Sequence, residues 1–216
     1  MGLFVRQIAV GGYNNNFSYL VYETESKQAM VVDPSGSLDR ILATADALEL
    51  DIVGVLITHT HFDHMDQLAE LLRKYAIPVF VHKEGEHAIV SPGPIRGITE
   101  GDTIELGTHT FEVFHTPGHT DEAVCYFISA ANAENKVPKV ITGDTLFVER
   151  CGCTNAAGVR ALYDSLLRLK ALPPETEVYP GHDYGSKPHS TIAWEHEHNK
   201  YFLVKDFEAF RTIRLN

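Results

Sequence analysis

One segment of this 216-residue chain constrains its fold more than any other, because it places four potential metal ligands within six positions. His59, His61, Asp63 and His64 follow directly after the apolar run at 52–57. Such a short run is typical of a buried strand, and α/β proteins place ligands at the carboxyl ends of their strands. A turn there can point His59 and His61 at one centre while Asp63 and His64 reach a second. The segment predicts a metal site, and a His-rich polar turn is the alternative.

Three later segments repeat this order of apolar strand, tight turn and metal-competent side chain. They contain His119, Asp144 and His182. Each segment alone is a common turn, since Gly-His after Pro and Gly-Asp are typical turn sequences. Together with the first segment they supply seven candidate ligands, which divide into two sites that share one carboxylate. Imidazoles and carboxylates suit Zn²⁺ or Fe²⁺ without any thiolate.

The composition is that of a globular protein and disfavours some partners. Hydrophobic residues make up 44% and charged residues 22% of the chain, which is too apolar for a disordered protein. The 18 basic and 29 acidic residues give a net charge of −11. We therefore expect neither nucleic acid nor an anionic membrane as a partner, since an acidic surface repels phosphates. The unusual count is twelve histidines, the residue most used for metal and proton chemistry.

The cysteine count and the first residues of the chain predict a cytoplasmic location. Three cysteines are an odd number and cannot make a disulfide framework, which favours a reducing compartment. Residues 1–10 lack the charged, apolar and small-residue regions of a signal peptide. Apolar stretches stay well below the roughly eighteen residues that a membrane span needs.

Strands and helices alternate along the chain, which predicts a layered α/β architecture. Helices are expected at 37–50, 66–75 and 159–169, and from Thr191 onward, while the Gly- and Pro-rich stretch 91–101 predicts a loop. We expect one domain over residues 1–216, with a short helical segment at about 187–216. The predicted strands lie at 4–10, 17–22, 29–32, 52–57, 79–82, 103–106, 110–115, 123–129, 139–142 and 177–179.

The seven candidate ligands resemble the ligand set of the metallo-β-lactamase superfamily, and the resemblance covers nearly the whole chain. It implies a four-layer αβ/βα sandwich, in which two sheets pack face to face with helices outside. It also implies two divalent metal ions, with zinc expected and iron or manganese as alternatives. By this resemblance His59, His61 and His119 would hold one ion, Asp63, His64 and His182 would hold the other, and Asp144 would bridge them.

Further motifs resemble the glyoxalase II and persulfide dioxygenase branch of that superfamily. They are Gly-Asp-Thr-Leu-Phe at 143–147, Cys-Gly at 151–152 and Pro-Gly-His-Asp-Tyr at 180–184. True β-lactamases lack the bridging aspartate, so lactam hydrolysis is not expected. The branch usually has a basic residue after Cys-Gly that binds glutathione, and this chain has Cys153 there. The expected substrate-binding residues are Tyr184, Arg150 and Cys153, and the carrier thiol stays open.

The ligand set and the resemblance predict a metallo-hydrolase like hydroxyacylglutathione hydrolase, acting on a thioester of a small thiol carrier. A metal pair lowers the pKa of a bridging water to about 7 and polarises the carbonyl. Asp63 is the candidate catalytic residue, because it would orient the bridging hydroxide and accept its proton. Thiolate is a good leaving group, so this reaction needs no strong general acid.

An oxidation reaction is a second chemistry that fits the same ligands. A single Fe²⁺ held by His59, His119 and Asp144 would form a two-His, one-carboxylate triad, as in a persulfide dioxygenase acting on a low-molecular-weight persulfide. A nuclease of the superfamily is disfavoured by the net charge of −11. A non-catalytic binding protein would normally have lost ligands, and all seven are present. The expected partner is a small molecule, and a homodimer is left open.

Overall fold

The first half of the chain forms a six-stranded mixed sheet in this computed structural model, which describes residues 2–215. Its first three strands pair antiparallel, and the later ones pair parallel. Parallel neighbours require crossover connections, and helices supply them. In sheet order the strands are β1 (Leu3–Gly11), β2 (Asn16–Glu23), β3 (Gln28–Val32), β4 (Asp51–Leu56), β5 (Val79–His82) and β6 (Ile95–Ile98). The connecting helices are α1 (Leu38–Ala47), α2 (Phe62–Met65), α3 (Leu68–Lys74) and a 3₁₀ helix at Lys83–Ala88.

The second half forms another six-stranded sheet and a small hairpin. Its strands are β7 (Thr103–Leu106), β8 (His109–His115), β9 (Val124–Ile128), β10 (Lys139–Gly143), β11 (Leu146–Phe147), β12 (Arg150–Cys151), β13 (Glu177–Pro180) and β14 (Ser190–Thr191). The sheet order is β14-β13-β10-β9-β8-β7, and β11 pairs with β12 alone. The helices are α4 (Val159–Lys170), α5 (Ile192–His198) and α6 (Phe207–Leu215).

Three apolar clusters separate the layers. The central cluster joins the inner faces of the two sheets and includes Tyr19 and Phe111. A second cluster packs α1 and α3 on the first sheet around Ile41. A third packs α4 and α6 on the second sheet around Leu162 and Phe210. The order helix, sheet, sheet, helix confirms the predicted α/β class and the four-layer αβ/βα sandwich.

Some local predictions differ from the structure. Ile95–Ile98 forms β6 inside the stretch predicted as loop, because four residues pair in register with β5 although Gly and Pro surround them. The chain after Thr191 forms two helices, α5 and α6, with a break between them. The break begins at Asn199, whose side chain accepts a hydrogen bond from the Tyr201 N–H and so offers the backbone an alternative to the helix.

Two further predictions concern the chain as a whole. The single-domain organisation stays a prediction. Within residues 2–215, no helix combines the length and apolar character needed to cross a bilayer.

Candidate metal centre

The seven predicted ligand side chains converge at the carboxyl ends of strands from both sheets. Their ligand atoms form three groups in which all atoms lie within 4.8 Å of one another. Two groups coincide with the two ligand sets that the resemblance implies, and the third places Asp144 between them. Ligation itself stays a prediction. The groups are His59, His61 and His119; Asp63, His64 and His182; and His59, His64 and Asp144.

Asp33, a buried aspartate directly after β3, supports the loop that carries the ligands at residues 59–64, which we call the first ligand loop. Asp33 accepts hydrogen bonds from the Thr58 N–H (2.8 Å) and the Thr58 hydroxyl (2.6 Å), and its Oδ2 lies 3.0 Å from Nδ1 of His64. The imidazole thereby presents Nε2 to the ligand cluster. Asp33 was not predicted from the sequence, because Thr58 and His64 lie 25 and 31 positions further along the chain.

Two amides, one in the β1–β2 turn and one at the start of β2, fix the Asp63 carboxylate. Both Asn14 and Asn16 place Nδ2 3.3 Å from Asp63 Oδ2, and Asn16 also donates to the Asp63 carbonyl at 3.0 Å. Burial raises the pKa of Asp63, but His64 and the two amides outweigh it and lower the pKa below its usual value. Asp63 is therefore an ionised acceptor. The run of three asparagines at 14–16 was visible in the sequence, but its partner lies far along the chain.

A glutamate from the second half of the chain fixes the backbone between the first two histidines. Glu122 Oε1 accepts hydrogen bonds from the Thr60 N–H at 3.0 Å and from the Thr60 hydroxyl at 2.7 Å. Burial raises the pKa of Glu122, and the bonds from Thr60 outweigh this and lower it. The ligand loop is thus tied to both sheets.

The second sheet supplies its histidines one at a time, and each is fixed by a backbone carbonyl. Nδ1 of His119 donates to the Cys153 carbonyl at 2.8 Å, and Nδ1 of His182 donates to the Asn14 carbonyl at 3.0 Å. A carbonyl can only accept a hydrogen bond, so both rings carry their proton on Nδ1. Both therefore present the Nε2 lone pair to the cluster, as a metal ligand does.

Crowding around Asp144 explains the glycines beside it. Gly143 has φ +48°, and a Cβ there would lie 2.5 Å from the Thr58 hydroxyl oxygen. A Cβ at Gly181 would lie 2.4 Å from Asp144 Oδ1 and 2.8 Å from Cε1 of His64. Only glycine lets the turns of the second sheet approach the first ligand loop this closely.

The polar atoms at the centre face each other in a way that a cation would satisfy. Nε2 of His64 lies 3.1 Å from Nε2 of His182, although both rings use Nδ1 as their donor. Asp144 Oδ1 lies 3.2 Å from each of these nitrogens, and within residues 2–215 this buried oxygen has no hydrogen-bond partner. Two imidazole nitrogens and one carboxylate oxygen directed at one point match the ligand set of a divalent cation.

The electrostatics of this second group favour positive charge. Burial lowers the pKa of His64, but the Asp144 and Asp33 carboxylates outweigh it and raise the pKa to about 10. Burial raises the pKa of Asp144, and the His182 and His64 rings outweigh it and hold the pKa well below the usual value. The carboxylates that stabilise a proton here would equally stabilise a metal ion.

In the first group, the surroundings of His59 and His61 favour the neutral imidazole. Burial, followed by the neighbouring imidazole charges, holds the pKa of His59 well below its usual value and lowers that of His61. His61 Nδ1 lies 3.1 Å from His59 Nε2 and 3.0 Å from His119 Nε2. Neutral imidazole is the form that binds a metal, so this group also fits a cation.

The three predicted substrate-binding residues line one cavity beside the ligands. The cavity has a volume of about 660 Å³ and reaches from the ligands to Tyr184, Arg150 and Cys153. Tyr184 stacks on the His182 ring at 4.7 Å. The Cys153 sulfur lies 3.6 Å from His119 Nδ1. The cavity also reaches the C-terminal helical segment, whose contribution the sequence analysis did not predict.

Comparison with known proteins agrees with this geometry. Residues 11–182 match the model of the metallo-beta-lactamase superfamily, and the chain belongs to that superfamily. Its sequence relatives place it among the metallo-hydrolases of the family.

Three similar proteins illustrate the likeness. The probable polyketide biosynthesis zinc-dependent hydrolase PksB of Bacillus subtilis is 32% identical, covering 92% of this chain and 87% of PksB. A hydroxyacylglutathione hydrolase of Hahella chejuensis is 34% identical over 82% of this chain, which spans 65% of that relative. The crystal structure of ETHE1 from Myxococcus xanthus has a TM-score of 0.84 and 32% identity, covering 98% of this chain and 89% of ETHE1. These likenesses fit the glyoxalase II and persulfide dioxygenase branch indicated by the sequence motifs.

Proposed function

We propose that this protein is a dinuclear metallo-hydrolase that cleaves a thioester of a small thiol carrier. The observation that carries the proposal is the pair of three-ligand groups with one buried carboxylate between them. Metal pairs of this kind activate water and stabilise the oxyanion in acyl hydrolysis. The names of the PksB and hydroxyacylglutathione hydrolase relatives support zinc and thioester chemistry, respectively.

The residues that would hold the two ions are those of the two groups, with Asp144 shared. When bound, the ions supply an activated water and polarise the scissile carbonyl. The ligands are His59, His61 and His119 for one ion and Asp63, His64 and His182 for the other.

Asp63 is the residue that would move the proton. Its carboxylate lines the cavity and is held ionised by the charge of His64 and by the amides of Asn16 and Asn14. Its free oxygen can accept the proton of the attacking water as the carbon–oxygen bond forms. The thiolate then leaves with the electrons of the broken carbon–sulfur bond. The cavity offers no carboxylic acid with a raised pKa among the described residues, which suits a leaving group that needs no acid.

A persulfide dioxygenase with one Fe²⁺ is the second candidate. His59 and His119 lie beside Asp144, with His119 Nε2 3.4 Å from Asp144 Oδ2. Two imidazoles and one carboxylate are the ligands of a non-haem iron oxygenase. The likeness to ETHE1 over nearly the whole chain supports this candidate.

One experiment separates the two activities. The protein is purified anaerobically, and zinc, iron and manganese are counted per chain. The same sample is assayed for S-lactoylglutathione hydrolysis and for oxygen uptake with glutathione persulfide. Two metal ions per chain and hydrolysis without oxygen uptake are the expected result.

The opposite pattern would reject the hydrolase. One iron per chain with oxygen uptake and no hydrolysis assigns the dioxygenase. Thioesters of other thiols are assayed in parallel, because Cys153 replaces the basic residue that would bind glutathione. If only those thioesters are hydrolysed, the reaction is still thioester hydrolysis, but the carrier is a thiol other than glutathione.

A further inference from the structure

Glu195 is a fully buried carboxylate that the proposed mechanism does not use. It lies in α5, and it does not line the metal-site cavity. Among the described residues its hydrogen-bond donors are the Ser190 hydroxyl, the Asn199 amide and the Glu149 N–H, all uncharged. Burial raises the pKa of Glu195, and these bonds offset it only in part. Because burying such a group costs free energy, its contacts must give something that an apolar side chain would not.

The first contact fixes the turn between β11 and β12. Glu195 Oε2 accepts a hydrogen bond from the Glu149 N–H at 2.8 Å. Glu149 has φ +63°, a left-handed backbone conformation that is unfavourable for a residue with a Cβ. Such a conformation persists only where the surrounding structure enforces it. The buried carboxylate helps to enforce it, together with Trp194, whose Nε1 donates to the Glu149 side chain at 3.1 Å.

A second contact fixes the start of the strand that follows this turn. The fully buried Asn199 amide donates to the Arg150 carbonyl at 3.1 Å and to Glu195 Oε2 at 2.8 Å. Two consecutive residues, Glu149 and Arg150, are therefore bonded to the same pair of side chains. The position of β12 thus depends on α5.

The chain beyond β12 lies directly against a predicted metal ligand. A Cβ at Gly152 would lie 3.1 Å from Cγ of His119. The Cys153 carbonyl accepts the hydrogen bond from His119 Nδ1 at 2.8 Å, and the Thr154 hydroxyl donates to the Gly118 carbonyl. A displacement of this stretch would therefore displace the imidazole with it.

We propose that Glu195 and Asn199 are positioning residues that set the direction of His119 Nε2 through the β11–β12 turn. This inference rests on the proposed metal-dependent thioester hydrolysis, in which His119 is a ligand. Neither side chain lines the cavity, so both act only through the backbone at residues 149–153. Groups behind a ligand that fix its orientation commonly affect metal affinity as well.

Two substitutions separate the hydrogen-bond acceptor from the charge. Glu195→Met has a side chain of similar length that cannot accept the Glu149 hydrogen bond. Glu195→Gln loses the charge but keeps an oxygen for that bond, and its amide can donate to the Ser190 hydroxyl. We expect zinc affinity, measured by competition with a chelator, to fall about tenfold in Glu195→Met and to stay within about twofold of the parent in Glu195→Gln.

The imidazole proton gives a readout that a general loss of stability would not move. Magnetic resonance of the zinc-loaded protein with isotope-labelled histidine follows each Nδ1 proton. The His119 proton should exchange with water about tenfold faster or more in Glu195→Met, because its acceptor is displaced. The His182 proton, which the Asn14 carbonyl holds, should exchange as in the parent.

Ser190→Ala is the matched control for buried hydrogen bonding. It removes the donor to Glu195 Oε1 at 2.6 Å and leaves the Glu149 bond to Oε2 in place. It should lower the free energy of unfolding without changing zinc affinity or exchange of the His119 proton. Asn199→Ala removes the second contact and should change both readouts in the same direction as Glu195→Met.

The outcomes distinguish this inference from the proposed function. Parent-like zinc affinity and proton exchange in Glu195→Met and Asn199→Ala overturn the positioning role and leave the hydrolase intact. Equal changes in Ser190→Ala also overturn it, since they would reflect lost stability alone. If the parent binds zinc and hydrolyses no thioester, the proposed function fails, and both readouts still decide the positioning role. If Glu195→Met does not fold, Asn199→Ala decides it.

Discussion

The two sheets contribute to the candidate metal centre in different ways. The first sheet supplies four side chains from one loop at residues 59–64, and other side chains hold this loop in place. The second sheet supplies His119, Asp144 and His182 from three separate strand ends, where backbone carbonyls and glycines set the geometry. One half of the centre therefore depends on side-chain support, and the other depends on backbone shape. Substitutions can test the two kinds of support separately.

The largest expected effect comes from removing one histidine of each half from the same ligand group. His59→Ala and His119→Ala should each lose bound metal and bring activity to background, because three ligands are the minimum of a catalytic zinc site. Metal counting and the thioester assay measure both. His87→Ala, on the exposed 3₁₀ helix, is the control. Normal turnover in either ligand variant would show that the ligand assignment is wrong.

The next effect tests the side-chain support of the first loop. Asp33→Asn replaces one acceptor of the Thr58 and His64 bonds with a donor, and we expect metal affinity or activity to fall about 10- to 100-fold. Competition with a chelator measures the affinity. Asp102→Asn is matched, since Asp102 accepts two bonds from Thr99 in an exposed turn. Equal effects of the two substitutions would contradict a special role for Asp33.

A third substitution tests the backbone support of the second sheet. Gly181→Ala places a Cβ 2.4 Å from Asp144 Oδ1, so the turn must shift, at a cost of about 1–3 kcal/mol in the free energy of unfolding. Metal affinity should fall with it. Gly54→Ala is the control, because its Cβ would lie at an ordinary 3.4 Å from Met30. Denaturant unfolding of both variants gives the comparison. An unchanged free energy of unfolding for Gly181→Ala would refute the role assigned to this backbone approach.

The smallest effect concerns a contact that joins the two halves. Glu23, at the end of β2, accepts hydrogen bonds from Thr108 and from His109 Nδ1 in the second half. Burial raises the pKa of Glu23, but bonds from Ser26, Thr108 and His109 outweigh it and lower the pKa to about 2. Its stabilisation is therefore fully present above the unfolded pKa of about 4.5 and is lost as pH falls toward 2.

Glu23→Gln measures that contribution. The variant should be less stable than the parent by about 1–2 kcal/mol near pH 6, and the difference should shrink between pH 4.5 and 2. Unfolding of the metal-free proteins by denaturant at several pH values gives the comparison. Glu105→Gln, exposed on β7, is the control. A difference that grows on acidification would contradict the assigned sign.

The sequence predicted the two halves to different degrees. Four of the ligands lie within the six positions 59–64, so they form a motif by themselves. His119 and His182 became informative only as members of a set, because each alone looks like an ordinary turn. The supporting residues were missed, since Asp33 and its partner Thr58 are 25 positions apart and Asn16 and Asp63 are 47 apart. Local patterns carry no information about such contacts.

The fold outside the metal centre also contains features that local sequence patterns do not predict. Most strands followed from apolar runs, whereas β6 lies among Gly and Pro and owes its conformation to pairing with β5. Lys200 and Arg214 line the same cavity as Arg150, and this depends on how the C-terminal segment folds back. Such tertiary placement is not encoded in local propensity.

Each three-ligand group takes two side chains from the first sheet and one from the second. An ion in either position would therefore also clamp the sheets together, adding its binding free energy to their association. Both ions would bind between the same two sheets. Release of one ion would therefore let the sheets shift and would lower the affinity of the site for the other ion. We expect the two ions to leave together as chelator is added, and the melting temperature to follow their departure.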